Sequence, residues 1–185
     1  DDARQYRKDS SNTTTVEMNE NTQSFSNSST NSIYTKTILG ARFQKLPFKA
    51  DAQVLDASVI VTPNSAKGTT VTANVYFDQA SNSAAFSSTN DDLGKRTPTA
   101  KTSCTSQGPG IPVQCNATGL ISALQGVLAS SNGWKDGNNL SVFLAQTSMS
   151  NPSLELRAYE TSPADTIRLQ VKLSNGSLTD NTYKV

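Results

Sequence analysis

The chain has 185 residues, of which 35% are hydrophobic, and its formal net charge is +1. That length suits one domain and supplies enough apolar residues for a core without a metal or a dense disulfide framework. Charged residues make up 17% of the chain and form no basic stripe, and no apolar run approaches the roughly 20 residues of a membrane span, so composition argues against nucleic-acid binding and membrane insertion.

Ser, Thr and Asn dominate the composition, and Thr and Val together favour strands over helices. Residues 1–13 are polar, and we expect them to form an N-terminal extension. A β-sandwich domain is predicted over residues 14–173, followed by a C-terminal tail at 174–185. The first residues include neither Met nor a signal peptide, so we expect a mature product whose targeting segment has been removed or was never part of this sequence.

Alternation of apolar and polar side chains predicts strands along most of the chain. The predicted strands are a weak one around Val16, then residues 33–43, 55–61, 71–77, 140–146, 154–160 and 166–173. Within the second strand, Gly40 marks a bulge or a close approach by another part of the chain. Residues 63–68 have the composition of a hairpin turn.

Two cysteines, Cys104 and Cys115, flank a loop rich in Gly and Pro. This arrangement predicts a structural disulfide, which implies an oxidising compartment. The alternative is a metal or redox pair, but the chain has no histidine and no Cys-x-x-Cys spacing.

One amphipathic helix is predicted after Cys115, with Thr118 as its N-cap and Gly133 as its terminator. Its apolar stripe consists of Leu120, Ile121, Leu124, Val127 and Leu128. Core packing of this stripe is favoured over partner binding. The fold class predicted for the chain is therefore all-β, an antiparallel β-sandwich of jelly-roll type with one amphipathic helix.

Several short motifs occur in a characteristic order. They are LGARF at 39–43, AQVLDAS at 52–58, RTPT at 96–99, GW at 133–134, GNNL at 137–140 and RAYE at 157–160. Over roughly residues 14–173 the chain resembles secreted bacterial β-sandwich modules of the DNRLRE type and those of type IV pilus tip-adhesin-like surface proteins. The resemblance implies a surface-displayed structural or adhesive role, and it supplies no catalytic residues.

The absence of histidine excludes a Ser-His-Asp or Cys-His arrangement and a His-ligated metal. Carboxylates such as Asp91, Asp92, Asp136 and Asp165 are interpreted as turn and cap residues rather than as a glycosidase pair. The Asn/Asp/Gly clusters at 90–92 and 136–138 could also supply oxygens for Ca²⁺, but turns need the same residues. We predict that the protein is not an enzyme and needs no cofactor.

Three features leave structural and functional alternatives open. Trp134 is interpreted either as a core residue or as a platform for a sugar ring. Arg42 and Arg157, in otherwise apolar strands, predict a structural ion pair with Glu160 or Glu155 that bridges strands; the alternative is a clamp for a substrate. Glycosylation sequons, in a number near that expected by chance, occur at Asn12, Asn27, Asn116, Asn139 and Asn175.

Two functions follow as hypotheses. The first is an extracellular or cell-surface structural module that self-assembles into a filament or pilus-like structure, with residues 13–25 adding as a strand to the next subunit. The other interpretation of residues 13–25 is that they pair within their own sandwich. The second hypothesis is a carbohydrate-binding module that uses Trp134.

Overall fold

The computed structural model describes a large part of the chain. The residues described are 2–8, 14–18, 22–25, 34–67, 72–89, 91–105, 111, 113–116, 118–130, 133–147, 153–157, 167–174 and 181–184.

Strands dominate the described residues, and two helices accompany them. In chain order the elements are β1 (Asp2–Lys8), β2 (Thr14–Met18), β3 (Thr22–Phe25), β4 (Tyr34–Leu46), β5 (Val54–Val61), β6 (Pro63–Lys67), β7 (Thr72–Phe77), α1 (Asp92–Lys95), β8 (Thr102–Thr105), β9 (Val113–Asn116), α2 (Thr118–Leu128), β10 (Asn138–Gln146), β11 (Ser153–Arg157), β12 (Arg168–Leu173) and β13 (Asn181–Lys184).

The strands form three antiparallel sheets. A six-stranded sheet has the order β2-β1-β4-β10-β7-β8, and a four-stranded sheet has the order β13-β12-β5-β9. A three-stranded sheet, β3-β11-β6, completes the described ladders. The prediction of an all-β antiparallel sandwich with an amphipathic helix is confirmed.

One apolar core, here called the inner core, lies between the two larger sheets. Alternate residues of β4 and β10 face it, among them Phe43 and Val142, and Val59 and Leu169 face it from the four-stranded sheet. This follows from the two-residue period of a strand. α2 closes the core with its apolar stripe, of which Leu120, Leu124, Val127 and Leu128 are buried. The favoured interpretation of that stripe as a core face is confirmed.

The disulfide joins the edges of the two larger sheets. Cys104 on β8 is bonded to Cys115 on β9, with their Cα atoms 5.5 Å apart. The predicted disulfide is therefore confirmed. It crosslinks the sandwich at the end of the six-stranded sheet that is remote from β1.

The N-terminal residues differ from the sequence expectation. β1 is an interior strand that pairs with β2 on one side and β4 on the other. Residues 2–8 thus belong to the sandwich rather than to an extension outside it. Their polar composition hid the strand, because Asp2 and Gln5 are buried although they are polar.

Other element boundaries also differ from the prediction. Residues 63–67 form β6, which pairs with β11, instead of a turn; Pro63 is tolerated because it is the first residue of the strand. α2 ends at Leu128, so Gly133 lies beyond the helix, in a turn where its φ is 68°. At the C-terminus, β13 pairs with β12.

Candidate functional site

The most organised polar site lies on the outer face of the six-stranded sheet, opposite the inner core. The segment between β7 and β8 folds over this face, and residues 79–89 and 91–97 of it are here called the cap. Beneath the cap lies a second apolar cluster, here called the outer cluster. Its buried members are Ala3, Val16, Ile38, Tyr76, Phe86, Leu93 and Phe143.

Gly40 on β4 is the point of closest approach between cap and sheet. A Cβ atom at this position would lie 2.9 Å from Cζ of Phe86 and 3.2 Å from Cδ2 of Leu93, both in the cap. Only a residue without a side chain leaves room for these two groups. The predicted close approach at Gly40 is confirmed.

Three aromatic rings of the outer cluster lie close together. The ring of Phe143 lies 5.3 Å from that of Tyr76 and 6.0 Å from that of Phe86, in tilted arrangements. Burial raises the pKa of Tyr76 to about 12, because a charged phenolate is poorly solvated there.

Arg96 fastens the cap to itself and to the sheet. Its guanidinium donates to the backbone oxygens of Ala84 and Ala85 at 2.8 and 2.9 Å, and it pairs with Asp92 at 3.0 Å and Asp78 at 3.4 Å. The Cζ atom also lies 4.9 Å from the centre of the Phe86 ring. With only 10% of its side chain exposed, Arg96 crosslinks two parts of the cap and joins them to Asp78, the residue after β7.

A chain of hydrogen bonds continues from Asp78 to β10. The Ser83 hydroxyl donates to Asp78 at 3.0 Å and accepts from the backbone N–H of Ser141 at 3.1 Å. The backbone N–H of Ser83 donates in turn to the backbone oxygen of Asn139 at 2.9 Å. The cap therefore runs alongside the first residues of β10, held by both backbone and side-chain bonds.

On the other side of β4 from β10, the cap holds β1 through one side chain. The Gln5 amide nitrogen donates to Asp91 Oδ1 at 2.7 Å, and the amide oxygen accepts from the backbone N–H of Gly94 at 3.0 Å. Asp91 adopts a left-handed backbone conformation, with φ of 65°. Such a conformation in a residue other than glycine is uncommon, and here it accompanies an ordered contact.

Arg42 lies at the edge of this site. Its Nε donates to the backbone oxygen of Ser83 at 3.0 Å. Partial burial, and then the charge of Arg96, lower the pKa of Arg42. Of the other residues predicted for the ion pair, Glu155 and Arg157 are in β11 with side chains outside the described set, and Glu160 lies outside the described residues. The ion pair therefore stays a prediction.

The carboxylates considered for Ca²⁺ have other partners. Asp91 accepts from Gln5, and Asp92 accepts from Arg96 and from the backbone N–H of Ser87 at 3.1 Å. In the second cluster, Asn138 donates to the Ser81 oxygen at 3.0 Å. Within the described residues, no three Asp, Glu, Cys or His side chains form a group that could hold a metal.

Trp134 is in the inner core, with 2% of its surface exposed. Its indole N–H donates to the Phe48 oxygen at 2.7 Å, and its ring stacks on that of Phe48. A sugar platform needs an exposed ring face, so the interpretation of Trp134 as a ligand platform is wrong. The core interpretation is correct.

Only two of the five predicted sequons lie in the described residues. Asn116 ends β9, and its side chain is not described. Asn139 Nδ2 donates to Asn82 at 2.8 Å, and Asn139 Oδ1 accepts from the backbone N–H of Lys45 at 3.1 Å. A glycan on Asn139 would have to replace one hydrogen of an amide that is already bonded. Asn12, Asn27 and Asn175 lie outside the described set.

Two residues of the site carried no assigned role from the sequence. Arg96 belongs to the RTPT motif, and its spacing of four from Asp92 was a signal for an ion pair. Gln5 gave no such signal, because its partners lie 86 and 89 residues away in the chain.

Comparison with known proteins finds no family model that matches this chain, and no curated protein that matches it significantly. Neither helix among the described residues is long and apolar enough to cross a membrane. In this site, carboxylates bind cations, hydroxyls and N–H groups. These contacts hold the cap, β1 and β10 together.

Proposed function

We propose that the protein is an extracellular structural or adhesive module that self-assembles into a filament or pilus-like surface structure through its terminal strands. The observation that carries the proposal is the position of β1. This N-terminal strand pairs on both sides inside the six-stranded sheet, where it completes the outer cluster with Ala3.

The topology allows the β1–β2 hairpin to be exchanged between copies without loss of contacts. β2 is the sheet edge and pairs only with β1 among the described ladders, so the two strands form a hairpin that joins the remaining sheet through β4. The same hairpin from a second copy would restore the same hydrogen bonds and the same buried side chains. Repeated head to tail, such an exchange builds an open filament.

The strand proposed for exchange differs from the one expected from the sequence. Residues 14–18 and 22–25 pair within their own chain, as β2 and β3. In the revised proposal β1 is the donated strand and β2 accompanies it.

Two further observations support an extracellular setting. The Cys104–Cys115 disulfide favours an oxidising compartment. The motifs over residues 14–173 resemble those of DNRLRE-type and pilus tip-adhesin-like modules, which are surface proteins. We propose no catalytic role and no cofactor. The carbohydrate-binding alternative loses its platform, because Trp134 is buried.

A covalent lock on β1 tests the proposal directly. Tyr6 and Thr37 face each other across β1 and β4, and the Cα atoms of facing residues in such a ladder are about 4.5–5.5 Å apart, within reach of a disulfide. The variant Tyr6→Cys/Thr37→Cys, refolded and oxidised at low concentration, keeps β1 in its own sheet. We expect it to stay monomeric, whereas the two single variants polymerise as concentration rises.

The matched control is a lock at the other terminus. Gln170 and Thr182 face each other across β12 and β13. The variant Gln170→Cys/Thr182→Cys should polymerise like the parent if β1 is the exchanged strand. Light scattering and negative-stain microscopy read out both variants. Polymerisation of the chain locked at β1, or a parent chain that stays monomeric at every concentration, would overturn the proposal.

A further inference from the structure

The cap recognises one position of β1 through both ends of an amide. The Gln5 side chain donates to Asp91 and accepts from Gly94. A Cβ atom on Gly94 would lie 2.7 Å from the Gln5 nitrogen and 2.2 Å from Asp91 Oδ1. The absence of a side chain at position 94 therefore allows both contacts to form.

Hydrophobic contacts alone do not fix the pairing register of β1 against β4. A slip of one residue would turn every side chain to the opposite face, but a slip of two keeps the same residues facing outward. After such a slip, the position opposite Ile38, where Gln5 now lies, would be occupied by Ala3 or Arg7. The two slipped registers preserve much of the ladder.

Neither Ala3 nor Arg7 at this position could satisfy both hydrogen-bonding groups that the cap presents. The Ala3 side chain has no polar atom, and the Arg7 side chain has donors for Asp91 but no acceptor for the Gly94 N–H. In the slip that brings Arg7 opposite Ile38, Gln5 would move opposite Gly40, where fully buried Ala3 now lies in the outer cluster beneath the cap.

We infer that the groove bounded by β4 and the cap selects its strand by sequence, and that Gln5 is the residue that sets the register. The groove takes an extended segment with a small residue, then a glutamine two positions later. Its occupant is residues 2–8 of this chain or, on the proposed function, the same residues of a second copy. Gln5 is thus a specificity-determining residue for strand binding.

Disulfide trapping in the full chain measures the register directly. With Thr37→Cys as a fixed partner, Tyr6→Cys crosslinks in the observed register, whereas Arg4→Cys crosslinks only after a slip of two. The measured quantity is the ratio of the two crosslink yields under mild oxidation. In the parent background we expect the observed register to dominate.

In the Gln5→Leu background, which keeps the size of the side chain but removes both hydrogen bonds, that ratio should fall about tenfold. Gln170→Leu on β12 is the matched control and should leave the ratio unchanged. An unchanged ratio in Gln5→Leu would overturn the inference.

A second pair of variants keeps the inference testable if Gln5→Leu does not fold. Asp91→Gly removes the carboxylate that accepts from the Gln5 amide, so it should also lower the ratio. Glycine adopts the positive φ of this position without strain. Asp91→Asn keeps an oxygen for the Gln5 amide and should retain the parent ratio. Equal ratios in these two variants would also contradict the inference. Only crosslinks within one chain, separated by size from those between chains, enter the ratio, so the outcome is independent of whether the protein polymerises.

Discussion

The two faces of the six-stranded sheet are both buried, but in different ways. The inner core is closed by a second sheet and by α2, and aliphatic and aromatic groups make it up. The outer cluster is closed by the cap, whose only regular element is the four-residue helix α1, and polar side chains hold that cap in place. One face thus depends on large apolar area and the other on a few directed contacts.

This difference implies two levels of stability. Loss of apolar area in the inner core lowers the free energy of unfolding of the whole domain. Loss of a contact in the cap should mainly lower the free energy of a local opening that exposes the outer cluster and frees β1. Substitutions in the inner core and in the cap should separate these two effects.

Phe43→Ala should cost about 3–5 kcal/mol of global stability, because the ring of Phe43 is fully buried in the inner core. Urea denaturation followed by Trp134 fluorescence measures this loss. Phe86→Ala in the cap is the comparison, and its effect on the same transition should be smaller. Equal losses in the two variants would contradict the division into two levels.

Arg96→Met should lower the free energy of cap opening by about 2–4 kcal/mol, since it leaves Asp78, whose side chain is 7% exposed, without its cation. Hydrogen exchange of the backbone N–H groups of Gln79 and Thr99, which bond to Thr97 and Phe77, measures the opening. Arg96→Lys keeps the charge but not the forked geometry, and should give an intermediate value. A loss confined to global unfolding would count against a separate cap.

Gly40→Ala should destabilise the cap by about 1–2 kcal/mol, because the new methyl group meets Phe86 at 2.9 Å. In a strand without such a neighbour, the same change would stabilise by a few tenths to about 1 kcal/mol. A double-mutant cycle with Phe86→Leu should therefore show favourable coupling. Additive effects would mean that the close approach carries no energy.

Alkaline pH should weaken the outer cluster by a smaller amount. The pKa of Tyr76 is about 12 in the folded chain and about 10 when unfolded. Burial of the neutral phenol therefore contributes fully to the stability of the folded chain below pH 10. This contribution is lost as pH rises towards 12. Between pH 10 and 11 the loss is about 1 kcal/mol. Comparison of the parent with Tyr76→Phe isolates this contribution, and identical pH dependences in the two proteins would contradict it.

The inner core was largely predictable, whereas the outer cluster was not. The alternation in β5 and β12, and the Leu stripe of α2, predict buried faces from local periodicity alone. β1 was missed because its buried residues include the polar Asp2 and Gln5, and the partners of the Gln5 side chain lie far away in the chain. No local pattern indicates a partner 86 residues away.

The candidate site shows the same division. The Cys104–Cys115 disulfide and the close approach at Gly40 were predictable, because cysteine spacing and a glycine inside a strand are local signals. The burial of Trp134 depends on an acceptor at Phe48, far away in the sequence, so two interpretations remained open.

The most direct measurement is native-state hydrogen exchange across the folded, monomeric chain. The account predicts that amides of β1 and of the cap exchange through one shared opening, at a free energy well below that of β5 and β12 in the opposite sheet. It also predicts that Gln5→Leu lowers the protection of both β1 and the cap. Protection in β1 and the cap equal to that in β5 and β12, unaffected by Gln5→Leu, would contradict the claim that β1 is a separately held strand.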